Sequence, residues 1–483
     1  MHKITVLPAN ITLTASDGEN LLSFLRTHNL APDAPCGGNG KCGKCKVFIN
    51  GEETLACHTR IQGDMTVIVP QKNELHILQS GIPTATSGAK EDFSIAFDIG
   101  TTTLVCYLLC GGEEITVCSM PNPQRSYGAD VVSRLRSAMG SDFDTLCDRI
   151  RQRMTDMICR VCETAGISPA RITTLSMVGN PAMQQIFLGI PIQNLVTIPF
   201  APVLTEATRI PCATILPVCP NAELLIVPDI SGYVGADTVG CILSTALYQS
   251  NKPLLLVDIG TNGEMVLGNK DRMIACSTAA GPALEGANIQ FGMVAAEGAI
   301  DHVWVEENKI HYSVIGGGDA VGICGSGLID AVAAALDLGL LNKRGRILRE
   351  DRIIPITENI HLTQEDIRQV QLAKGAIHAG IRLMMQQLDL HPEDISKVML
   401  AGAFGSFLNP ASACRIGLLP AELDGRIEAV GNAAGSGAKL LCTREDFLPL
   451  TGELVKKIEF LELASLPAFP RTFAKSMEFS CAD

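Results

Sequence analysis

The stretch Phe97-Asp98-Ile99-Gly100-Thr101-Thr102-Thr103 returns in the second half of the chain as Val257-Asp258-Ile259-Gly260-Thr261-Asn262-Gly263-Glu264. In both copies an apolar strand ends in Asp, a glycine-containing turn follows, and a second apolar strand begins, at residues 104–108 and 265–267. Such a turn presents backbone N–H groups and hydroxyls to phosphate oxygens, and the preceding carboxylate can hold Mg²⁺ directly or through water. One such turn closes many ordinary hairpins, but two of them predict duplicated half-domains that close on one nucleotide.

The paired turns resemble the phosphate-binding motifs of the ATPase superfamily that contains actin, sugar kinases, acetate kinase and the heat-shock chaperone ATPases (ASKHA). The resemblance implies an α/β duplicated actin-like core over residues 93–483, with lobes of about 93–250 and 251–483. The segment Val398-Met399-Leu400-Ala401-Gly402-Ala403-Phe404-Gly405-Ser406, an apolar strand running into small residues, is similar to the superfamily's adenosine motif. The expected ATP-binding residues are Gly100, Thr101, Thr102, Thr103, Gly260, Thr261, Asn262, Gly263, Gly402, Ala403, Phe404 and Gly405, and Asp98 and Asp258 are the expected catalytic carboxylates beside Mg²⁺.

Three other glycine-rich segments have two interpretations each. Residues 431–437 precede a helix predicted at 438–442 and form a candidate hinge between the lobes. Residues 316–318 and 322–327, the latter before a helix predicted at 328–338, are further candidates for facing the nucleotide. Glycines in these segments could equally serve close helix packing.

Two further carboxylates are candidates for orienting the water that attacks the γ-phosphate of ATP. Asp229 precedes a glycine turn, and Glu285 lies within the segment 279–288. Either carboxylate has the chemistry for this role. Either could also be a solvated or capping side chain, which is the more common role of an acid beside glycine. The sequence does not choose between Asp229 and Glu285. Glu264 is a weaker candidate, because it merely follows the second turn.

Four cysteines near the N-terminus form a C-x5-C-x2-C-x11-C array: Cys36, Cys42, Cys45 and Cys57. Three of them crowd one glycine-rich loop and the fourth follows in the next segment, an asymmetry typical of plant-type 2Fe-2S ligands. A structural zinc site, the alternative, more often has two paired C-x2-C knuckles. Glycines in the loop let backbone N–H groups approach the sulfurs. The array therefore predicts a 2Fe-2S cluster.

The surrounding segments predict a small α+β unit. Residues 2–7 and 11–15 alternate as a hairpin, and Asp17 is positioned to cap a short helix. Residues 1–72 resemble the ferredoxin-like beta-grasp domains that bind 2Fe-2S clusters. Residues 73–92 lose apolar periodicity and predict a linker, either flexible or lying on the surface.

Composition narrows the class of protein. The chain has 483 residues, 47% of them hydrophobic, which is enough for two or more cored domains. A net charge of −13 disfavours nucleic acid and anionic membranes as partners. The start Met1-His2-Lys3-Ile4 lacks a signal-peptide layout, and no apolar run is long enough to span a bilayer. We therefore expect a cytoplasmic protein in which most of the 18 cysteines are reduced.

A 2Fe-2S domain ahead of this ATPase core resembles the reductive activators of corrinoid-dependent methyltransferases. Segments 122–134, 178–183, 279–288 and 322–330 extend the resemblance over nearly the whole chain. Larger members carry an extra domain between the two parts, for which the linker here leaves no room. Other members carry a C-terminal 4Fe-4S ferredoxin, whereas this tail has only Cys481.

The resemblance implies an ATP-hydrolysing iron-sulfur enzyme that returns one electron to an inactive Co(II) corrinoid protein and restores Co(I). It also implies an upstream electron donor and a homodimer. The alternatives are an ATP-dependent donor to another low-potential enzyme, such as a 2-hydroxyacyl-CoA dehydratase, or a redox-sensing nucleotide-binding module without electron delivery. Dehydratase activators hold their cluster ligands inside the ATPase domain, which counts against the first alternative, and a kinase has no evident need for the four cysteines.

Overall fold

The computed structural model describes residues 1–34, 36–40, 43–70, 92–260 and 262–479. Two predicted site residues, Cys42 and Thr261, lie outside the described residues, as does the predicted linker apart from its last residue. Within the described ranges, no helix has both the length and the apolar character needed to cross a membrane.

The N-terminal unit is a five-stranded sheet with one helix packed on it. The sheet order is β2-β1-β5-β3-β4, in which β1 and β5 are parallel and the other neighbours are antiparallel. Apolar side chains from the sheet and the helix form its separate core. Its elements are β1 (His2–Leu7), β2 (Ile11–Ala15), α1 (Leu21–Thr27), β3 (Lys46–Ile49), β4 (Glu52–Leu55) and β5 (Met65–Ile68).

The predicted cap of α1 was wrong. Asn20, not Asp17, caps the helix, and its side chain accepts a hydrogen bond from the backbone N–H of Ser23 at 3.1 Å. Asp17 instead lies 2.7 Å from a ring nitrogen of His2. The N-cap oxygen must reach the third helical residue, a spacing that Asn20 has and Asp17 lacks.

The first lobe contains a six-stranded sheet in the order β10-β11-β9-β6-β7-β8. Strands β6, β7 and β8 form an antiparallel meander, while β9 runs parallel to β6 and β11 parallel to β9. Its strands are β6 (Phe93–Ile99), β7 (Thr103–Cys110), β8 (Glu113–Pro121), β9 (Ile172–Gly179), β10 (Thr208–Pro211) and β11 (Glu223–Ile226). Its helices are α2 (Val131–Ser137), α3 (Phe143–Ala165), α4 (Pro181–Leu188), α5 (Gln193–Val196) and α6 (Ala236–Ser244).

The second lobe repeats this topology in the sheet β21-β20-β12-β13-β14-β22. Here β12, β13 and β14 form the meander, β20 is parallel to β12, and β21 is parallel to β20. Its strands are β12 (Leu254–Ile259), β13 (Gly263–Gly268), β14 (Met273–Thr278), β15 (Ala299–Glu306), β16 (Lys309–Val314), β17 (Gly322–Ile323), β18 (Ile353–Pro355), β19 (His361–Thr363), β20 (Lys397–Ala401), β21 (Ile427–Gly431) and β22 (Ile458–Phe460). Its helices are α7 (Gly325–Asp337), α8 (Gln364–Gln387), α9 (Gly402–Phe407), α10 (Pro410–Arg415), α11 (Ala433–Thr443), α12 (Phe447–Lys457) and α13 (Phe469–Ser476). The repeated strand order places the two glycine turns at equivalent positions.

Helices α6 and α11 cross between the two sheets. A Cβ atom on Gly437 would lie 2.2 Å from the carbonyl oxygen of Gly240, so the helices touch backbone to backbone. The sequence had predicted helix starts at residues 438 and 328, but α11 begins at Ala433 and α7 at Gly325. Those starts were wrong because close packing selects glycine inside both helices, and this packing offsets a propensity cost of about 1 kcal/mol per glycine.

Candidate functional site

The first glycine turn connects β6 to β7 and is held from one side by Asn122 and Arg134. The Asn122 side chain donates to the carbonyl oxygen of Gly100 at 2.8 Å, and its backbone N–H donates to that of Thr102 at 2.9 Å. The Arg134 guanidinium donates to the carbonyl oxygen of Thr101 at 2.8 Å. Holding three successive carbonyls on one side directs the turn's N–H groups to the other side, where they can bind phosphate oxygens.

Arg134 is the largest fully buried side chain of the molecule's described part. Besides Thr101, its guanidinium donates to the carbonyl oxygen of Gly128 at 2.9 Å and contacts the side chain of Gln124 at 3.3 Å. Burial lowers its pKa to about 9. The sequence analysis included Arg134 in the segment 122–134 but gave it no role. A positive charge can be buried this deeply only where acceptors such as the backbone carbonyls of Thr101 and Gly128 converge on it.

The second turn connects β12 to β13, and Asp258 lies just before it. In the parallel neighbour β20, Ala401 is paired with Asp258, so the adenosine-like segment begins beside this carboxylate. Gly402 has a φ of +82°, and a Cβ atom there would lie 2.6 Å from an Asp258 carboxylate oxygen. Only glycine fits this position. The structure therefore places Gly402, the first residue of the predicted adenosine-binding segment, beside the carboxylate that precedes the second turn. Nucleotide binding by residues 402–405 stays a prediction.

Helix α9 in turn packs against the glycine-rich start of α7. A Cβ atom on Gly325 would lie 1.9 Å from the carbonyl oxygen of Leu284 and 2.7 Å from the ring of Phe404. The glycines of residues 322–327 thus serve close packing beside the cleft. The other candidate, residues 316–318, forms the turn after β16 and approaches the side chain of Glu297.

A cluster of carboxyl groups lies beside the two glycine turns, in the region between the lobes that we call the cleft. Burial, together with the negative charge of Asp237, raises the pKa of Asp98 to about 7 and that of Asp258 to about 7. Burial also raises the pKa of Asp237 to about 6 and holds that of Glu264 well above its usual range. Carboxyl groups that resist ionisation without a counter-ion are suited to a divalent cation. The sequence analysis missed Asp237, which begins α6 and belongs to no motif that it recognised.

Asn432 connects the returning helix to this cluster. Its side chain donates to an Asp98 carboxylate oxygen at 2.8 Å and to the Tyr107 hydroxyl at 3.2 Å, while its own oxygen caps α11 by accepting from the Gly435 N–H at 2.7 Å. The predicted hinge segment therefore contacts the first turn's carboxylate directly. Asn432 is a third residue, after Arg134 and Asp237, whose role the sequence analysis missed.

The two candidate water-orienting acids have different surroundings. Glu285 lies between the lobes, where its carboxylate accepts a hydrogen bond from the Thr102 hydroxyl at 3.2 Å, and a Cβ atom on Gly260 would lie 3.9 Å from its other oxygen. Asp229 is 3% exposed and accepts from the Gln184 amide at 2.6 Å. Burial holds the pKa of Asp229 well above its usual range. Of these two acids, Glu285 is the one that approaches described residues of both turns.

Three of the four predicted cluster ligands, Cys36, Cys45 and Cys57, are among the described residues. Burial and the neighbouring Cys45 and Cys36 raise the pKa of Cys57 to about 11, and a hydrogen bond from the Gly40 backbone acts in the opposite direction. Gly40 has a φ of +74°, and a Cβ atom there would lie 2.1 Å from a His58 ring nitrogen. Three thiols close enough to perturb one another, with a backbone N–H directed at one of them, fit a shared centre that Cys42 would complete.

Metal sites made of protein groups alone are absent from the described ranges. No three described His, Cys, Asp or Glu side chains are arranged to hold an ion by themselves. The cysteine loop lacks its fourth candidate, Cys42, among the described residues. In the cleft, a Mg²⁺ ion would need phosphate and water oxygens besides Asp98 or Asp258, which is its usual mode of binding in nucleotide enzymes.

Comparison with known proteins divides the chain into three matching parts. Residues 4–64 match a 2Fe-2S iron-sulfur cluster binding domain, residues 93–250 the RACo middle region, and residues 252–483 the C-terminal domain of RACo, the ASKHA domain. The corrinoid activation enzyme RamQ of Eubacterium limosum is 35% identical over 442 residues, which cover 84% of this chain and 74% of that protein. The chain belongs to the RACo family.

Other matches agree with membership of the RACo family. The [Co(II) methylated amine-specific corrinoid protein] reductase of Methanosarcina barkeri is 28% identical over 401 residues, covering 76% of this chain and 73% of that protein. A solved structure of a reductive activator for corrinoid,iron-sulfur protein covers 100% of this chain and 99% of its own, with 26% identity and a TM-score of 0.72. The RACo assignment confirms the predicted fold class, a ferredoxin-like domain followed by an ASKHA core.

Proposed function

We propose that this chain is an ATP-dependent reductive activator that returns one electron to the Co(II) form of a corrinoid protein and so restores Co(I). The observation that carries the proposal is the presence, in one chain, of the cysteine loop and a cleft in which the Thr102 hydroxyl and Glu285 join the two lobes. The names of the relatives support a corrinoid protein as the acceptor.

The proposed need for a nucleotide follows from the energetics of the acceptor. Co(II)/Co(I) couples lie at very low reduction potential. For a one-electron transfer from the cluster, each 59 mV by which the corrinoid potential lies below that of the cluster lowers the equilibrium constant of the transfer tenfold. A nucleotide can overcome this only by binding one state of the activator–acceptor pair better than another. The two lobes, joined by the crossing helices α6 and α11, provide an element that can exist in open and closed arrangements.

Each part of the chain has a proposed role. Asp98 and Asp258 hold Mg²⁺, the two turns bind the phosphates, and residues 402–405 contact the adenosine. Cys36, Cys42, Cys45 and Cys57 hold a 2Fe-2S cluster, which supplies a single electron when bound. An upstream donor recharges the cluster, and the active form is a homodimer.

Glu285 is the proposed residue that orients the attacking water. Replacing Glu285 by Gln keeps the hydrogen bond from Thr102 but removes the charge and basicity. We expect ATP hydrolysis to fall roughly 10²–10⁴-fold while nucleotide affinity changes little. Steady-state hydrolysis and equilibrium titration with Mg-ADP measure the two quantities separately.

Asp229→Asn is the matched control for Glu285→Gln. Asp229 is held by Gln184 inside the first lobe, so we expect the Asn variant to keep most of the hydrolysis rate. A larger loss of rate for Asp229→Asn than for Glu285→Gln would reverse the assignment of the water-orienting role.

The function is tested by anaerobic mixing. The reconstituted, pre-reduced protein is combined with Co(II) forms of several corrinoid proteins, and the visible spectrum is followed for Co(I), with and without Mg-ATP. Co(I) formed only in the presence of ATP would support the proposal. A reducible cluster and bound nucleotide without Co(I) from any acceptor would contradict it and favour the redox-sensing alternative.

A further inference from the structure

The cluster domain contacts the first lobe through a small set of charged and aromatic groups. Arg125 forms an ion pair with Asp33 at 2.9 Å, and both side chains are largely buried in the contact. Arg26 donates to the carbonyl oxygen of Ser126, and its guanidinium lies 5.1 Å from the centre of the Tyr127 ring. Three successive residues, 125–127, therefore contact the cluster domain.

The contact includes the cysteine loop itself. A Cβ atom on Gly37, the residue after Cys36, would lie 3.4 Å from the carbonyl oxygen of Tyr127. Arg149 of α3 also lies 5.2 Å from the centre of the Tyr127 ring, and its guanidinium donates to the backbone carbonyl oxygen of Arg26. The first lobe thus touches the loop that carries the cluster ligands.

The same short segment holds the first phosphate turn. Residues 123–127 form a single 3-10 helix, which Asn122 caps by accepting from the Gln124 N–H at 2.9 Å. Asn122 also binds the carbonyl oxygens of Gly100 and Thr102. At the other end, Gly128 is bound by Arg134, which also binds Thr101. One rigid turn of helix therefore lies between the phosphate turn and the cluster domain.

We propose that residues 122–128, together with Arg134, couple nucleotide binding in the cleft to docking of the cluster domain on the first lobe. The proposal rests on the proposed nucleotide site. A displacement of the phosphate turn must strain its three carbonyl hydrogen bonds or move the segment, and moving the segment displaces Arg125 and Tyr127 from the cluster domain. The surface formed by Arg125, Tyr127 and Arg149 is then a docking site for the chain's own ferredoxin-like domain, and the nucleotide alters its affinity.

Coupling of this kind is reciprocal. If a nucleotide changes the docking equilibrium, then a change in docking must change the nucleotide affinity by the same factor. A substitution inside the cluster domain, remote from the cleft, should therefore be detectable as a change in nucleotide dissociation constant. A purely structural contact between two independent domains predicts no such change.

The test is a charge-exchange cycle in the full-length, cluster-reconstituted protein. Asp33→Arg and Arg125→Asp each place like charges at the contact, whereas the double variant restores an opposite pair. Mg-AMPPNP affinity is measured by calorimetry for all four proteins, and hydrogen exchange of residues 122–128 reports whether the cluster domain is docked. The matched control is Asp17→Arg, which changes the same charge in the same domain beside His2.

We expect both single variants to shift the Mg-AMPPNP dissociation constant in the same direction by about fivefold or more. The double variant should return it to within about twofold of the original value, and Asp17→Arg should leave it unchanged. Faster exchange in both single variants with unchanged nucleotide affinity would overturn the coupling but leave the proposed function intact. An unmodified protein that binds no nucleotide would instead overturn the proposed function, and the coupling with it.

Discussion

A serine in place of Cys57 is expected to abolish electron delivery while the nucleotide cleft keeps working. The hydroxyl is a much poorer ligand for iron than the thiolate, so the reconstituted variant should lose the cluster and its visible absorption. Loss of a hydrogen-bond partner outside the ligand set already lowers metal affinity or activity by roughly 10–100-fold. Loss of a ligand should have a larger effect, so the rate of Co(I) formation should fall at least about a hundredfold. Iron content, the visible spectrum and anaerobic Co(I) formation measure the effect.

Cys57 is a better choice than Cys45 for this experiment. Cys45 is 1% exposed and belongs to the apolar core of the cluster domain, so its replacement also disturbs packing. Cys57 is only partly buried. The control is Cys159→Ser on α3, because Cys159 is also partly buried but lies in the first lobe.

Nucleotide affinity separates the two possible organisations of the chain. The Cys57→Ser variant should bind Mg-nucleotide to within roughly tenfold of the original protein, the change being limited to the interdomain coupling. Complete loss of nucleotide binding together with the cluster would mean that the cluster domain and the ATPase core are not separate functional modules. A variant that kept its iron and its rate would remove Cys57 from the ligand set.

The parts of the fold that the sequence predicted are those whose signals are local. Each glycine turn lies between two short apolar strands, so its hairpin follows from a handful of neighbouring residues. The Asn50-Gly51 turn between β3 and β4 also has a local cause, because Asn-Gly favours the positive φ angles of 50° and 95° found there. The equivalence of the two lobes followed from the repetition of such a local pattern.

The parts that the sequence did not predict depend on contacts between distant residues. Asn432 is separated from Asp98 by 334 positions, and the packing of α11 against β6 brings them together. Asp237 faces the same cluster because α6 begins there, and Arg134 is buried where the backbone carbonyls of Thr101 and Gly128 and the side chain of Gln124 converge on it. No spacing rule contains this information. The helix starts at glycine were misjudged for the same reason, since propensity is local and packing is not.

Asp258→Asn is expected to have opposite effects on activity and on stability. Removing the carboxylate that we propose as a Mg²⁺ ligand should cost several kcal/mol of transition-state stabilisation, so hydrolysis and ATP-dependent Co(I) formation should fall roughly 10²–10⁴-fold. We expect the fold itself not to need this charge. Burial, and the charges of Asp237 and Asp98, raise the pKa of Asp258 to about 7 in the folded protein.

The sign of the stability effect follows from the direction of this pKa shift. In the unfolded chain an Asp carboxyl has a pKa of about 3.9. Because the folded value is higher, the carboxyl favours folding at low pH, and this contribution is lost as pH rises towards 7. At pH 8 and without Mg-nucleotide, the ionised Asp258 carboxylate therefore lowers the free energy of unfolding. Asparagine removes this effect, so the variant should be more stable by roughly 1–2 kcal/mol at pH 8, with a smaller gain at pH 5.

A second buried aspartate provides the control for this prediction. Asp366 accepts hydrogen bonds from the Thr363 backbone N–H and hydroxyl and from the Gln290 backbone N–H, each at 2.8 Å, so both of its oxygens serve the fold. Asp366→Asn places an amide against these donors and should lower stability by about 1–2 kcal/mol, with hydrolysis retained. Urea unfolding at the two pH values, without nucleotide, gives the stabilities. If Asp258→Asn were destabilised like Asp366→Asn, the Asp258 carboxylate would contribute to the stability of the fold, and the prediction would be wrong. A carboxylate whose role is to bind a ligand should instead leave the nucleotide-free protein more stable when its charge is removed.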